Sequence, residues 1–539
     1  MFRPKDALHP AAHDHAREVA AGTMSRREFM SRATALGVSV PAASALIGLP
    51  RPTAAQTPAR RPGGTLRIQQ DVRALKDPRT FDWPQIANFA RGWLEYLVEY
   101  TPEGGFEPRL LADWEVNDDA SEYVLTVRRG VQWNDGTAFT ARDVAYNFTR
   151  WCDSTVEGNS MASRLRGLID AETGKARDGA IIVEDDHTVR LVLTEPDVSI
   201  IATTADFTAA IVQDGFADNP LDNPIGTGPY LPAEYEVGVR GVLERNRDHQ
   251  WWGTEVLGDA TLDRIEYLDF GTDQSAFAAA FEADEIDMTY ETVGEFIEVL
   301  DGLGLDRRET VTARTIVIRP NQQAEVDGAR PYADKRVRRA LAMAISNEAC
   351  LQLGYSGRGR VAANHHVCPI HPEYADIGPS EYDPEAARAL MDEAGMADFE
   401  HDLVSIDDSW RRLTADAAAA QLRDAGIPVK RTVMPGSTYW NGWSSFPFST
   451  TDWGHRPLGV QALALAYRSG EPWNESGFAN EEFDSRLSEA LRLPSADERR
   501  RVMARLEEIL REEGVIIQPY WTSVFRHQRS DVVGAEAHP

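Results

Sequence analysis

Tyr439, Trp440 and Trp443 stand close together in "STYWNGWSSF", and such rings can cover an apolar group or stack on a cation. In "NHHVCPIHPEY", His365, His366, Cys368 and His371 are residue types that ligate metals. Their spacing is no recognised zinc pattern, however, and Pro369 and Pro372 stiffen the segment, so a structural loop is favoured over a metal site. Asp407 and Asp408 in "LVSIDDSWRRLT" precede a helical pattern, where an aspartate serves first as an N-cap and second as a ligand contact. No GxSxG or HExxH arrangement occurs. The chemistry on offer is recognition: the chain reads as a binder and not an enzyme, with no cofactor.

Alternating helices and strands must position these residues, which argues an α/β architecture. "EYVLTVRRGVQW" alternates Tyr123, Leu125 and Val127 with polar positions and predicts a strand. "NDGTAFTARDVAYNF" predicts a turn at Asp135–Gly136, then a helix whose N-cap Thr140 forms a capping box with Asp143. The aromatic run from Ile86 to Tyr100 predicts a single helix. "DPEAARALMDEAG" is a helix with proline early and glycine after its end. "VIIQPYWTSVFRHQ" predicts a closing pair of strands. In "GTGPY", Gly226 and Gly228 are expected to take backbone angles closed to other residues and to shape the scaffold.

The chain has 539 residues, enough for two or three domains, and a net charge of −29. Residues 1–55 hold seven basic and four acidic side chains, so the remainder carries −32. Such a surface repels nucleic acid and anionic membranes. Within "TMSRREFMSRATALGVSVPAASALIGLP" the pair Arg26–Arg27 precedes a short, mildly apolar run broken by Pro41, and Thr53 and Ala55 offer a small-residue exit. That layout resembles a twin-arginine export signal. The three cysteines, Cys152, Cys350 and Cys368, allow at most one bridge, and none follows the apolar run as a lipid attachment point. A periplasmic destination is expected.

Seven stretches in order resemble the extracytoplasmic solute-binding proteins of peptide/nickel-type ABC importers, family 5, whose best-known members bind dipeptides and oligopeptides. They are "LLADWEVNDDASEYVLTVRRGVQWNDGTAFTARDVAYNF", "NPIGTGPY", "RNRDHQWWG", "ADEIDMTY", "DKRVRRALAMAIS", "YDPEAARALMDEAG" and "QLRDAGIPV". The resemblance implies a two-lobed periplasmic-binding-protein fold with an extra domain inserted in the first lobe. Residues 62–96, 216–314 and 515–539 would form lobe I, 97–215 the inserted domain and 315–514 lobe II, with 1–55 as the export signal. It also implies a short-peptide or small-molecule ligand, an ABC permease in the inner membrane as partner, and a monomer. The rival readings are a sensor or chaperone-like peptide binder of the same fold, or a nickel-complex binder.

The resemblance places the ligand's ammonium on Asp452, in "STTDWGHRPLG", where Trp453, His455 and Arg456 replace the small or acidic residues of dipeptide binders. The arginine that holds the ligand carboxylate in those relatives is not clearly matched. Arg411 and Arg412 are the candidate substitutes, though both fall at a helix start, and Arg456 is the alternative anion clamp. Asp408, Trp410, Tyr439 and Trp440 complete the second-lobe candidates, and Trp83 and Asn88 are the first-lobe ones.

Overall fold

The computed structural model describes residues 8–22, 24–48, 62–493, 496–536 and 538. The small-residue exit expected at Thr53 and Ala55 lies outside them. Two compact units emerge, Met1–Glu291 with Arg526–His538, and Thr292–Phe525.

In the first unit, strand Thr65–Gln69 runs parallel to Arg264–Leu268 on one side and to Met288–Thr289 on the other. Arg240–Arg245 and Tyr230–Glu236 continue the sheet antiparallel. A separate antiparallel sheet orders Leu111–Val116, Glu122–Val127, Thr188–Val192 and Ile181–Asp185. Tyr123, Leu125 and Val127 are the buried positions of strand Glu122–Val127, as their alternation requires. Helix Ala141–Trp151 opens with the expected capping box: Thr140 Oγ1 accepts from a first-turn N–H while the Asp143 carboxylate accepts the Thr140 N–H at 2.7 Å.

The run expected as one helix over Ile86–Tyr100 is instead a helix over Pro84–Ala90 and a strand over Val98–Tyr100, paired with Phe106–Pro108. The cause is tertiary. The Gly92 and Trp93 carbonyls accept the N–H groups of Tyr230 and Gly228, both at 2.9 Å. Their hydrogen bonds therefore go to the "GTGPY" segment and not to a continuing helix. The role of that motif also differs from expectation. Neither Gly226 nor Gly228 has a positive φ. A Cβ on Gly226 would lie 1.9 Å from the Trp93 carbonyl oxygen, and one on Gly228 2.7 Å from that of Gly92. These glycines are needed for close backbone approach. Beside them the Glu95 carboxylate accepts Trp251 Nε1 at 3.0 Å, Trp252 Nε1 at 2.6 Å and Thr227 Oγ1 at 2.7 Å. One half-buried acid thus joins "GTGPY" to "QWWG".

Helix Arg26–Ala35, capped by Ser25, buries Phe29, Met30 and Ala33. Thr34 Oγ1 accepts the Phe106 N–H at 2.8 Å, so the helix lies against the edge of strand Phe106–Pro108. Among the described residues no helix is long and apolar enough to cross a membrane.

In the second unit the strand order is Val429–Met434, His401–Ile406, Phe448–Trp453, Asp306–Pro320 and then the start of Tyr520–Gln528. Helices Lys335–Met343, Asn347–Tyr355, Pro384–Glu393 and Ser409–Asp424 contribute to a core with Ile316, Ile318, Leu403, Trp410, Leu422, Phe448 and Tyr520. The closing segment forms one named strand, Tyr520–Gln528, preceded by an isolated bridge between Ile517 and Ile318, where a strand pair was expected. The three cysteines are buried.

Candidate functional site

One strand register and one helix start create the site in the second unit. Antiparallel pairing of Asp306–Pro320 with Phe448–Trp453 sets Ile316 opposite Asp452 and Thr315 opposite Trp453. Arg314 therefore arrives beside Asp452, donating from Nη2 at 3.0 Å and from Nε at 3.2 Å to Oδ2. Helix Ser409–Asp424 begins near the same point, with Asp408 as N-cap accepting the Arg411 N–H at 3.1 Å. Arg411 Nε donates to Asp452 Oδ1 at 2.7 Å, and its Nη1 is bonded to Asp408 Oδ2. The result is a quartet of two arginines and two aspartates whose formal charges cancel.

The quartet is largely withdrawn from water: the Asp452 side chain is 5 % exposed and that of Arg314, the most open, 14 %. Both guanidiniums lie over the Trp410 indole, at 5.1 Å for Arg314 and 4.9 Å for Arg411, and Arg411 also lies 5.9 Å from the Trp440 ring centroid. Burial opposes ionisation of Asp452, but Arg411 and Arg314 outweigh it and hold its carboxyl down at about 2. Burial wins at Asp408, whose carboxyl is pushed above its ordinary value against the pull of Arg411.

The sequence-predicted residues divide. Asp452, Asp408, Trp410 and Trp440 converge, and Arg411 joins them. Asp407 and Arg412 pair with each other at 2.9 Å on a more exposed face. Trp453 is buried, donating Nε1 to Glu475 Oε1 at 2.7 Å. Tyr439 is buried against Val404 and Ile406 with its hydroxyl bonded to the Thr450 carbonyl. His455 Nδ1 accepts the Ala313 N–H at 3.0 Å, and Arg456, buried, donates to the His455 carbonyl at 3.0 Å. Trp83 and Asn88 belong to the first unit. Arg73 lies 4.5 Å over the Trp83 ring, and Asn88 Nδ2 donates to Gln70 Oε1 at 2.9 Å. Sequence reasoning missed Arg314, Arg319 and Glu475. The signal was there in "TARTIVIRP", where two arginines interrupt an apolar segment that has no other charge.

The histidine loop is engaged inside the protein. His366 Nδ1 lies 2.7 Å from the Tyr467 hydroxyl, and His371 accepts the Cys368 N–H at 2.9 Å through Nδ1. His365 Nδ1 lies 3.5 Å from Glu507 Oε2. Among the described residues no group of three or more His, Cys, Asp or Glu side chains is arranged to hold a metal ion.

Residues 105–475 match the family model described as bacterial extracellular solute-binding proteins, family 5 middle. The dipeptide-binding protein of Escherichia coli K12 is 26 % identical over 382 residues, which cover 68 % of this chain and 64 % of that protein. The dipeptide-binding protein DppE of Bacillus subtilis 168 is 22 % identical over 505 residues, covering 87 % of this chain and 89 % of the relative. Among solved structures, the periplasmic binding protein DppA of Helicobacter pylori in complex with peptide STSA superposes with a TM-score of 0.77 at 21 % identity. The superposition spans 89 % of this chain and 96 % of that one. The periplasmic-binding-protein fold is thereby shared.

Proposed function

Since the chain belongs to the bacterial extracellular solute-binding proteins of family 5, we propose that it is the periplasmic solute-binding component of an ABC importer. It captures a short peptide or peptide-like, amine-bearing solute and hands it unchanged to an inner-membrane permease. Export follows the Arg26–Arg27 segment. The names of the relatives, two dipeptide-binding proteins, support the peptide class.

The observation that carries the reading is the neutral quartet of Arg314, Asp452, Arg411 and Asp408. A buried charge deprived of its partner is costly, and a lone ammonium on Asp452 would strand two guanidiniums. A peptide brings an ammonium and a carboxylate together. It can take Asp452 or Asp408 with one end and Arg411 or Arg314 with the other, leaving every charge paired. Trp410 and Trp440 border the same groups. Asp452 is thus the ammonium site only in company with an anion site on the arginines.

Native mass spectrometry of the protein purified from its own periplasm, before and after unfolding and refolding, tests this. A retained zwitterionic solute lost on refolding supports the reading. A retained solute with no ammonium, or with no anionic group, overturns it.

A further inference from the structure

The segment that carries Arg26 and Arg27 is folded onto the first unit. In helix Arg26–Ala35, Arg27, Ser31 and Thr34 are spaced by four and three residues and so share one face. All three reach the strand pair Val98–Tyr100 and Phe106–Pro108 or the turn that joins it. Arg27 Nη2 donates to the Tyr100 hydroxyl at 3.5 Å, Ser31 Oγ donates to the Gly104 carbonyl, and Thr34 Oγ1 accepts the Phe106 N–H at 2.8 Å. The chain then turns at Gly37, where a Cβ would stand 2.6 Å from the Trp114 carbonyl oxygen. Helix Val40–Leu46 follows, and a Cβ on Gly105 would meet the Val40 side chain at 3.5 Å.

Docking divides the segment in two. Phe29, Met30, Ala33, Val38 and Ala43 are buried, as are Glu28 and Arg32, which pair at 2.8 Å. Ser25 and Arg26, at the helix start, stay exposed. A helix of 10 residues is marginal alone in water, so this one depends on its packing. Charge favours the same contact: seven basic less four acidic side chains give residues 1–55 a charge of +3, against −32 on the remainder.

We propose that the body of the protein masks its own export signal. The strand pair Val98–Tyr100 and Phe106–Pro108 holds helix Arg26–Ala35, withholding the apolar run from the membrane while Ser25 and Arg26 stay presented. The inference rests on the export reading above and adds an autoinhibitory contact to it. Basic residues beside an apolar run bind anionic lipid surfaces, and a precursor with its run undocked would do so. The Gly104 carbonyl and the Phe106 N–H are brought together only by the formed strand pair, so the mask exists only once the first unit has folded.

Gly105 allows a test that leaves the signal itself intact. It has no positive φ, and a side chain there would run into Val40 and Thr34. Hydrogen exchange of the full chain reads the docking. Amides of Arg26–Ala35 should exchange at least about a hundredfold more slowly in the wild type than in an unstructured chain. Gly105→Glu should lose that protection while strand Leu111–Val116 keeps its own. Ala33→Glu, which leaves the body untouched, should lose it too, and it decides the docking if Gly105→Glu also unfolds that strand. Flotation with vesicles of phosphatidylglycerol and phosphatidylethanolamine reads the masking: the wild type should stay in solution and the undocked variants should float. Unprotected amides in the wild type, or protection that survives both substitutions, overturn the docking. Equal flotation of wild type and undocked variants overturns the masking. Export is read separately, by periplasmic fractionation of Arg26→Lys/Arg27→Lys: undiminished export removes the export reading, and the mask with it, whatever the exchange shows.

Discussion

Arg411 meets Asp452 through Nε and Oδ1 at 2.7 Å, although the two side chains come from a helix and a strand 41 residues apart. With Arg314 on the other carboxylate oxygen, Asp452 is fully engaged within the chain. The aspartate that the family resemblance assigns to a ligand ammonium is here also the counter-ion that aims two guanidiniums. Asp452→Asn should act on both roles. Leaving Arg314 and Arg411 with only Asp408 should lower unfolding free energy by about 3 kcal/mol, as for other broken buried pairs. Affinity for a zwitterionic dipeptide should fall by about 2–5 kcal/mol. Urea unfolding and calorimetry on the same preparation check the two numbers, and an unchanged affinity would remove Asp452 from the binding site.

The same carboxylate dictates an acid dependence. Its folded value lies below the unfolded one, so it contributes stability that is present above the unfolded value and is lost as pH falls. The window runs from about pH 4 down to about 2, and the loss across it is about 2 kcal/mol. Unfolding free energies of wild type and Asp452→Asn, measured through this range, should converge toward low pH. Curves that stay parallel would mean that the arginines do not hold Asp452 ionised.

The reading of sequence succeeded where structure is local. Thr140 and Asp143 are three residues apart, so their reciprocal capping was visible in the string, as was the alternation that buries Tyr123, Leu125 and Val127. It stopped where distant segments decide. The helix expected through Tyr100 ends at Ala90 because "GTGPY", well over a hundred residues later, claims the carbonyls of Gly92 and Trp93. In the site, Asp452, Asp408 and Trp410 could be singled out, but the 138-residue separation of Arg314 from Asp452 hides their pairing until strand register is known. Glu475 was invisible for the same reason: it lies in a loop and acts on a neighbouring strand and on Arg319.

Gly226 offers a sharp test of the close-approach argument. Because its missing Cβ would stand 1.9 Å from a backbone oxygen, Gly226→Ala must push the "GTGPY" turn away from Trp93, and the hydrogen bonds at Gly92 and Trp93 with it. A loss of about 3 kcal/mol or more is expected. Gly136→Ala is the control, since that residue faces open space and has only its positive φ, +86°, to lose. It should cost about 1–2 kcal/mol. Denaturant midpoints for the two variants should rank in that order, and the reverse order would show that φ outweighs contact.

Glu507 carries the last prediction, with the opposite sign to Asp452. Its carboxyl is fully buried and accepts the Ala375 N–H at 3.3 Å, and its second oxygen faces His365 Nδ1 at 3.5 Å. The Val367 N–H also points at that nitrogen, at 3.4 Å, so the imidazole is an acceptor there. Burial pushes the histidine down to about 3, leaving it neutral, and pushes Glu507 well above the ordinary carboxyl value. Protonation spares Glu507 an uncompensated buried charge. Because the folded value exceeds the unfolded one, the group's contribution is complete below about pH 4 and declines as pH rises through the folded value. The buried histidines pull the other way, since His365, His366 and His401 all have lowered values and favour the folded state as pH rises through about 6.5. The measurement must therefore be a difference. Glu507→Gln keeps the shape and a donor but cannot ionise. Its melting temperature relative to wild type should rise from pH 4 to pH 8, while the histidine contribution, common to both proteins, cancels. A difference that stays flat over that range would mean that Glu507 is ionised when buried and that its charge is met by a cation.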